Sequence, residues 1–136
     1  MTTVATRAEE ATSASAASAD CLAAHRRLVK ESLEIMRRLP LRAENITDLF
    51  RIGCSCLEVA SQSAFAARSE AEALHYWEQA ALGERQLRKA TYHALREGHV
   101  NNAIYDRLFT IANLARRARH DEIVRVRRRL RQLALI

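Results

Sequence analysis

Proline occurs once and glycine three times in 136 residues, and aromatic side chains make up 5% of the chain. Apolar content is ordinary, but alanine, leucine and isoleucine supply it. A chain so poor in turn-formers has the composition of long helices joined by few turns. No run of about 18 apolar residues is present, so no membrane-spanning helix is predicted. The N-terminus lacks a basic segment followed by an apolar one, so no secretory signal is predicted. Glu9 and Glu10 weigh against a transit peptide. Three cysteines, Cys21, Cys54 and Cys56, are an odd number and imply a reducing compartment rather than a disulfide framework. The expectation is a cytoplasmic protein of one domain, large enough to bury a core.

Motifs that carry catalytic chemistry are absent as well. There is no glycine-rich phosphate loop, no nucleophile elbow and no Ser/His/Asp grouping. Cys54 and Cys56 lie two apart on a helix, so they face nearly opposite sides and cannot chelate one ion or close an ordinary disulfide. They read as small core fillers. His75 and His93 share a face but stand about 27 Å apart along a helix. His25 falls on the core side of its helix, where a buried, satisfied histidine is expected. No metal, no cofactor and no enzymatic activity is expected.

What is present is charge in one place. The net charge is +6. Residues 107–131 hold nine arginines against Asp121 and Glu122, for +7, which leaves −1 for the rest of the chain. The basic character belongs to one segment.

The apolar pattern repeats at helical spacing four times. Residues 1–19, rich in Ala, Ser and Thr, read as a flexible tail, and residues 20–136 as the folded unit. Asp20 is placed to cap helix one over 21–39, with Leu22, His25, Leu28, Val29, Ser32, Ile35, Met36 and Leu39 on its inner face. Pro40 ends it. Helix two is expected over about 45–67, with Gly53, Ala60 and Ala64 letting a neighbouring backbone come close. Ser69 and Glu72 have capping-box spacing at the start of helix three, over 69–95, and Gly98 suits its left-handed stop. Asn101 or Asn102 caps helix four. Short links make sequential helices antiparallel, giving an all-α, antiparallel up-down-up-down four-helix bundle.

Helix three carries an apolar arc, including Trp77, that is wider than the roughly 100° stripe a bundle core needs. A second copy of the chain is the simplest cover for the excess. Glu84 and Arg88 interrupt this arc at ion-pair spacing, and Glu122 interrupts the stripe of helix four, with Arg119 at its edge. They read either as a partly exposed pair at a subunit boundary or as a buried cluster fixing register between helices or subunits.

Helix two opens with Asp48-Leu49-Phe50, and helix three contains ALHYWEQAALGERQL over residues 73–87. With the order and lengths of the helices, these resemble the small bacterial four-helix-bundle proteins encoded within intervening sequences of large-subunit ribosomal RNA genes. Relatives of that family include the accessory variability determinants of diversity-generating retroelements. Tyr76, Trp77, Ala80 and Leu87 match the family's helix-three pattern, Gly83 falls one place late, and Gln86 stands where Glu is usual. Ser55-Cys56-Leu57 replaces the family's Arg-Ala-Ala. The resemblance covers roughly residues 22–130 and implies a ring-like homo-oligomer of five copies. It also implies, for retroelement members, binding of a reverse transcriptase and nucleic acid through basic surfaces.

On helix four, Arg116, Arg117, Arg127, Arg128 and Arg131 lie between about 120° and 240° from Ile104, opposite the apolar stripe. The planar guanidinium forks of arginine suit phosphate. This face is the candidate binding surface for nucleic acid or an acidic protein partner. It carries no aromatics to stack bases, which argues against sequence-specific single-strand recognition. The basic, apolar-ended segment over residues 126–136 also admits a membrane-surface reading, weakened by the lack of Trp or Phe. The expected function is a non-catalytic oligomeric scaffold or binding protein that uses the helix-four arginines.

Overall fold

The structure, a computed structural model, describes residues 4–134, with side chains from residue 16 onward. Four α-helices account for nearly all of it: α1 (Val4–Arg38), α2 (Glu44–Phe65), α3 (Glu70–Arg96) and α4 (Asn102–Ala134). A single 3-10 turn, Leu41–Ala43, links α1 to α2, and no strand occurs among the described residues. None of these helices is long and apolar enough to cross a membrane.

The helix ends follow from local chemistry. α1 stops at Arg38, two residues before Pro40. Ser69 has extended backbone geometry, and its hydroxyl accepts the Glu72 amide at 3.1 Å, which is one half of the expected capping box. Gly98 adopts φ +77°, a left-handed conformation that costs an L side chain but not glycine. The amides after it fold back, His99 N–H donating to the Ala94 carbonyl at 2.8 Å. Asn101 then opens α4, its side-chain oxygen accepting the Ile104 amide at 2.9 Å.

One boundary differs from expectation. α1 begins at Val4, so the segment expected to be a flexible tail is helical from residue 4 to residue 19, and Asp20 lies within the helix rather than capping it. Residues 1–3 of that tail lie outside the described residues. The segment has no glycine or proline to stop a helix, and alanine has the highest helix propensity of any residue.

Helices adjacent in sequence pack against each other, and α1 closes the ring against α4. Residue pairs show the directions. Arg107 and Arg119 of α4 meet Glu31 and His25 of α1, and Arg127 of α4 meets Glu78 near the start of α3. Each later residue on one helix meets an earlier one on the other, so these neighbours run antiparallel. The interior is filled by the stripes read from the sequence, including Leu28, Ile35, Phe50, Leu57, Trp77, Leu87, Leu108, Ile111 and Val126.

The α2–α3 seam is the closest. A methyl group added at Gly83 would sit 2.8 Å from the backbone nitrogen of Leu57. One added at Gly53 would sit 2.7 Å from the Leu87 side chain. Two glycines, one from each helix, therefore set how near the two axes lie.

Trp77, Ala80, Leu87, Ala90 and Ala94, the centre of the wide arc on α3, are fully buried within the single chain. Its edges, Ala73, Leu74, Tyr76 and Ala81, are half-buried.

Candidate functional site

The apolar stripe of α4 runs through Leu108, Ala112, Ala115, Arg119, Glu122 and Val126, all buried. Arg119 and Glu122 thus occupy core positions of the helix. A buried charge is costly unless paired and hydrogen-bonded. The structure resolves the two charges differently.

Arg119 is fully paired. One guanidinium nitrogen donates to Glu84 Oε1 of α3 at 2.7 Å, and the other meets His25 Nε2 of α1 at 3.1 Å. The second oxygen of Glu84 accepts from Arg88 Nε at 2.6 Å. Arg88 continues outward to Asn113 at 2.8 Å and lies over the Phe109 ring at 5.0 Å. His25 Nδ1 lies 2.7 Å from the Cys21 carbonyl, which can only accept, so Nδ1 carries the proton and Nε2 is left to accept from Arg119. Burial, helped by the Arg119 charge, lowers the His25 pKa to about 4. The imidazole is therefore neutral in the fold at pH 7. Its ring also tilts against Trp77 at 5.2 Å. One continuous polar network thus joins α1, α3 and α4 through the core.

Glu122 is only half satisfied. Its Oε1 accepts from Arg125 Nε at 3.0 Å and from a terminal nitrogen of the same guanidinium. That hydrogen bond is the main reason the Arg125 pKa is raised. Glu122 Oε2 is buried and accepts nothing among the described residues. Arg125 also reaches Glu70 at 3.9 Å.

Sequence reasoning selected Trp77, Glu84, Arg88 and Glu122 as one interface group. The structure divides them. Glu84 and Arg88 join Arg119, whereas Glu122 takes Arg125 as partner. The central role of Arg119 and the contribution of His25 were missed. The signal was present, because Arg119 sits four residues after Ala115 and seven before Val126, in register with the buried stripe.

Arg116, Arg117, Arg127, Arg128 and Arg131 all lie exposed on the outer face of α4. Arg127 pairs with Glu78 at 3.1 Å. Arg116, Arg117, Arg128 and Arg131 have no ion-pair partner among the described residues. From Arg116 to Arg131 the face spans about 22 Å along the helix at 1.5 Å per residue. The final residues of the membrane-surface reading, Leu135 and Ile136, lie outside the described residues.

Cys21 and Cys54 are held as thiols. Burial raises the Cys21 pKa to about 12 and that of Cys54 to about 11. Neither provides the thiolate that nucleophilic or metal chemistry requires. Cys56 is half-buried, with its sulfur 3.7 Å from the Gln79 carbonyl.

Two clefts open beside Glu122 and Arg125. The larger, about 520 Å³, lies where the end of α2, the start of α3 and the end of α4 meet, and Trp77 forms part of its wall. The smaller, about 250 Å³, lies between α1 and α4 beside Cys21. Neither is lined by Glu84 or Arg88.

Compared with protein-family models, curated proteins and solved structures, the chain matches none.

Proposed function

We propose that this protein is a non-catalytic binding protein that presents the outer arginine face of α4 to a polyanion, with nucleic acid as the ligand class. The observation that carries this reading is the state of the arginines. Four of the five are exposed without an acidic partner among the described residues, while the buried acids are committed to Arg88, Arg119 and Arg125. Unpaired guanidinium groups on one helix face form a repeated phosphate-binding surface. The commitment of Glu84 and Arg88 to one buried network, away from either cleft, supports a structural rather than a catalytic role for them.

Assembly belongs to the same proposal. The half-exposed edges of the α3 arc and the helix-three resemblance support a homo-oligomer of ring form with five copies. Such a ring repeats the arginine face and raises the local positive potential.

The test is the native mass by light scattering, with and without a DNA duplex and a structured RNA. The expected result is a particle of several chains that gains mass with nucleic acid and loses it as salt rises. Replacing Arg117, Arg127, Arg128 and Arg131 by Gln should abolish the gain and leave the oligomer intact. A multimer indifferent to both nucleic acids would reject the polyanion surface and leave a purely structural scaffold. A monomer would reject the assembly.

A further inference from the structure

The chain has three tyrosines and three phenylalanines. Half of them, Tyr92, Tyr105 and Phe109, flank one groove, between α3 and α4. Phe109 packs against the core, and Tyr105 lies outside it, stacked on the Phe109 ring with centroids 4.4 Å apart and planes at 27°. Tyr105 keeps part of its surface in water, and Tyr92 is 48% exposed. The Arg88 guanidinium sits 5.0 Å from the Phe109 centroid. It is fixed there by Glu84 at 2.6 Å and Asn113 at 2.8 Å. The buried network thus anchors the ring on which Tyr105 rests. A platform held in place before a ligand arrives loses little conformational freedom on binding.

The register of the two helices brings Tyr92 to this platform. α3 and α4 are antiparallel, and Arg88 meets Phe109. One turn onward in α3 is Tyr92, and one turn back in α4 is Tyr105, so the two tyrosines stand at one level of the groove. The same side of α4 then becomes basic. At 100° per residue, Tyr105, Phe109, Arg116 and Arg127 fall within about 40° of one another. Arg116 is exposed, has no acidic partner among the described residues, and follows Tyr105 by about 17 Å along the helix. Isolated aromatics on a surface are ordinary. Two at one level, in line with an unpaired guanidinium group, combine a stacking surface with a phosphate contact.

We propose that the α3–α4 groove binds single-stranded nucleic acid, with unpaired bases stacking on Tyr105 and Tyr92 and the backbone running on toward Arg116. This deepens the polyanion reading of the α4 face and rests on it. In a duplex each base face is covered by its neighbours, so the tyrosines have nothing to stack on and only the phosphates are engaged. An unpaired base offers its face. Stacking of this kind tolerates any sequence, because every base has a π-face.

The test compares three labelled probes by fluorescence anisotropy at one low salt concentration. They are a short oligothymidylate, an abasic strand of the same length, and a duplex of the same length. The abasic strand keeps the phosphates and removes the bases. Oligothymidylate should bind about fivefold or more tighter than the abasic strand, the gain expected from stacking one base. Tyr92→Leu and Tyr105→Leu should each shrink that gap and leave abasic and duplex affinities unchanged, while Tyr105→Phe should preserve it. Tyr92 is exposed, so Tyr92→Leu decides the matter if Tyr105→Leu fails to fold. Equal binding of oligothymidylate and the abasic strand would overturn the stacking site and leave the arginine surface standing. A gap that persists undiminished in Tyr92→Leu and in folded Tyr105→Leu would overturn it too. Binding of none of the three probes would overturn both readings together.

Discussion

The two seams of α3 are built on opposite principles. Toward α2 the contact is apolar and close, with Gly53 and Gly83 admitting Leu87 and the Leu57 backbone. Toward α4 and α1 it is ionic, with Glu84, Arg119 and His25 bonded in series across the core. Dispersion and burial hold the first seam, and they tolerate small errors of register at modest cost. The second is held by directional contacts between desolvated charges, which are satisfied in one alignment only. Buried ion pairs add little net stability over apolar residues of the same shape, but breaking one is severe. The difference teaches that α2–α3 supplies adhesion, whereas the α1–α3–α4 seam supplies register.

Breaking the ionic seam should produce the largest effect. Arg119→Met leaves Glu84 Oε1 without a donor in the core, with Arg88 as the remaining partner of the carboxylate, and should cost about 3 kcal/mol, the low end for breaking a buried pair. Chemical denaturation measures it. Changing Glu84 to Met in the same chain should recover much of that loss, and no recovery would mean that Arg119 acts through packing alone.

Acid should loosen the same seam. His25 is neutral in the fold, with its pKa lowered to about 4 by burial, while an unfolded histidine titrates near 6.5. Its contribution is complete above about pH 6.5 and is lost as pH falls toward about 4, because the unfolded chain gains the proton first. The loss amounts to about 3 kcal/mol at most. Melting curves across that window should show a slope that His25→Gln flattens.

Gly83→Ala probes the apolar seam. The added methyl meets backbone rather than a flexible side-chain end, so the helices must separate, at about 1–3 kcal/mol. A stabilised variant would show that the α2–α3 spacing is adjustable. The smallest effect on stability belongs to the outer face. Single replacements of Arg116, Arg117, Arg128 and Arg131 by Gln should each change the unfolding free energy by less than about 0.5 kcal/mol, as for other exposed positions.

Much of the bundle was legible in the sequence because its signals are local. Pro40, Ser69, Gly98 and Asn101 each mark a helix end through their own backbone or side-chain chemistry. The inner faces followed from spacing alone. The start of α1 was less legible, since an alanine-rich segment without an apolar stripe carries helix propensity but no tertiary signal. The ionic seam was legible only in part. Glu84 and Arg88 pair along one helix, so their spacing revealed them. Arg119 reaches partners 35 and 94 residues away, and no local pattern encodes those distances. The half-empty Glu122 was likewise invisible, because an unmet hydrogen bond is a property of packing.

The closure of α1 on α4 also has a consequence for the order of folding. Three of the four helix–helix seams join neighbours across links of a few residues, and such contacts form early. The His25–Arg119 bond instead closes a loop of 94 residues, whose entropy must be surrendered before the contact is rewarded. That seam should therefore be absent from the folding transition state. Substitutions at His25 should leave the refolding rate nearly constant and appear almost wholly as faster unfolding. The α1–α4 closure would then set how long the folded bundle lasts, and the seams between sequence neighbours how soon it forms.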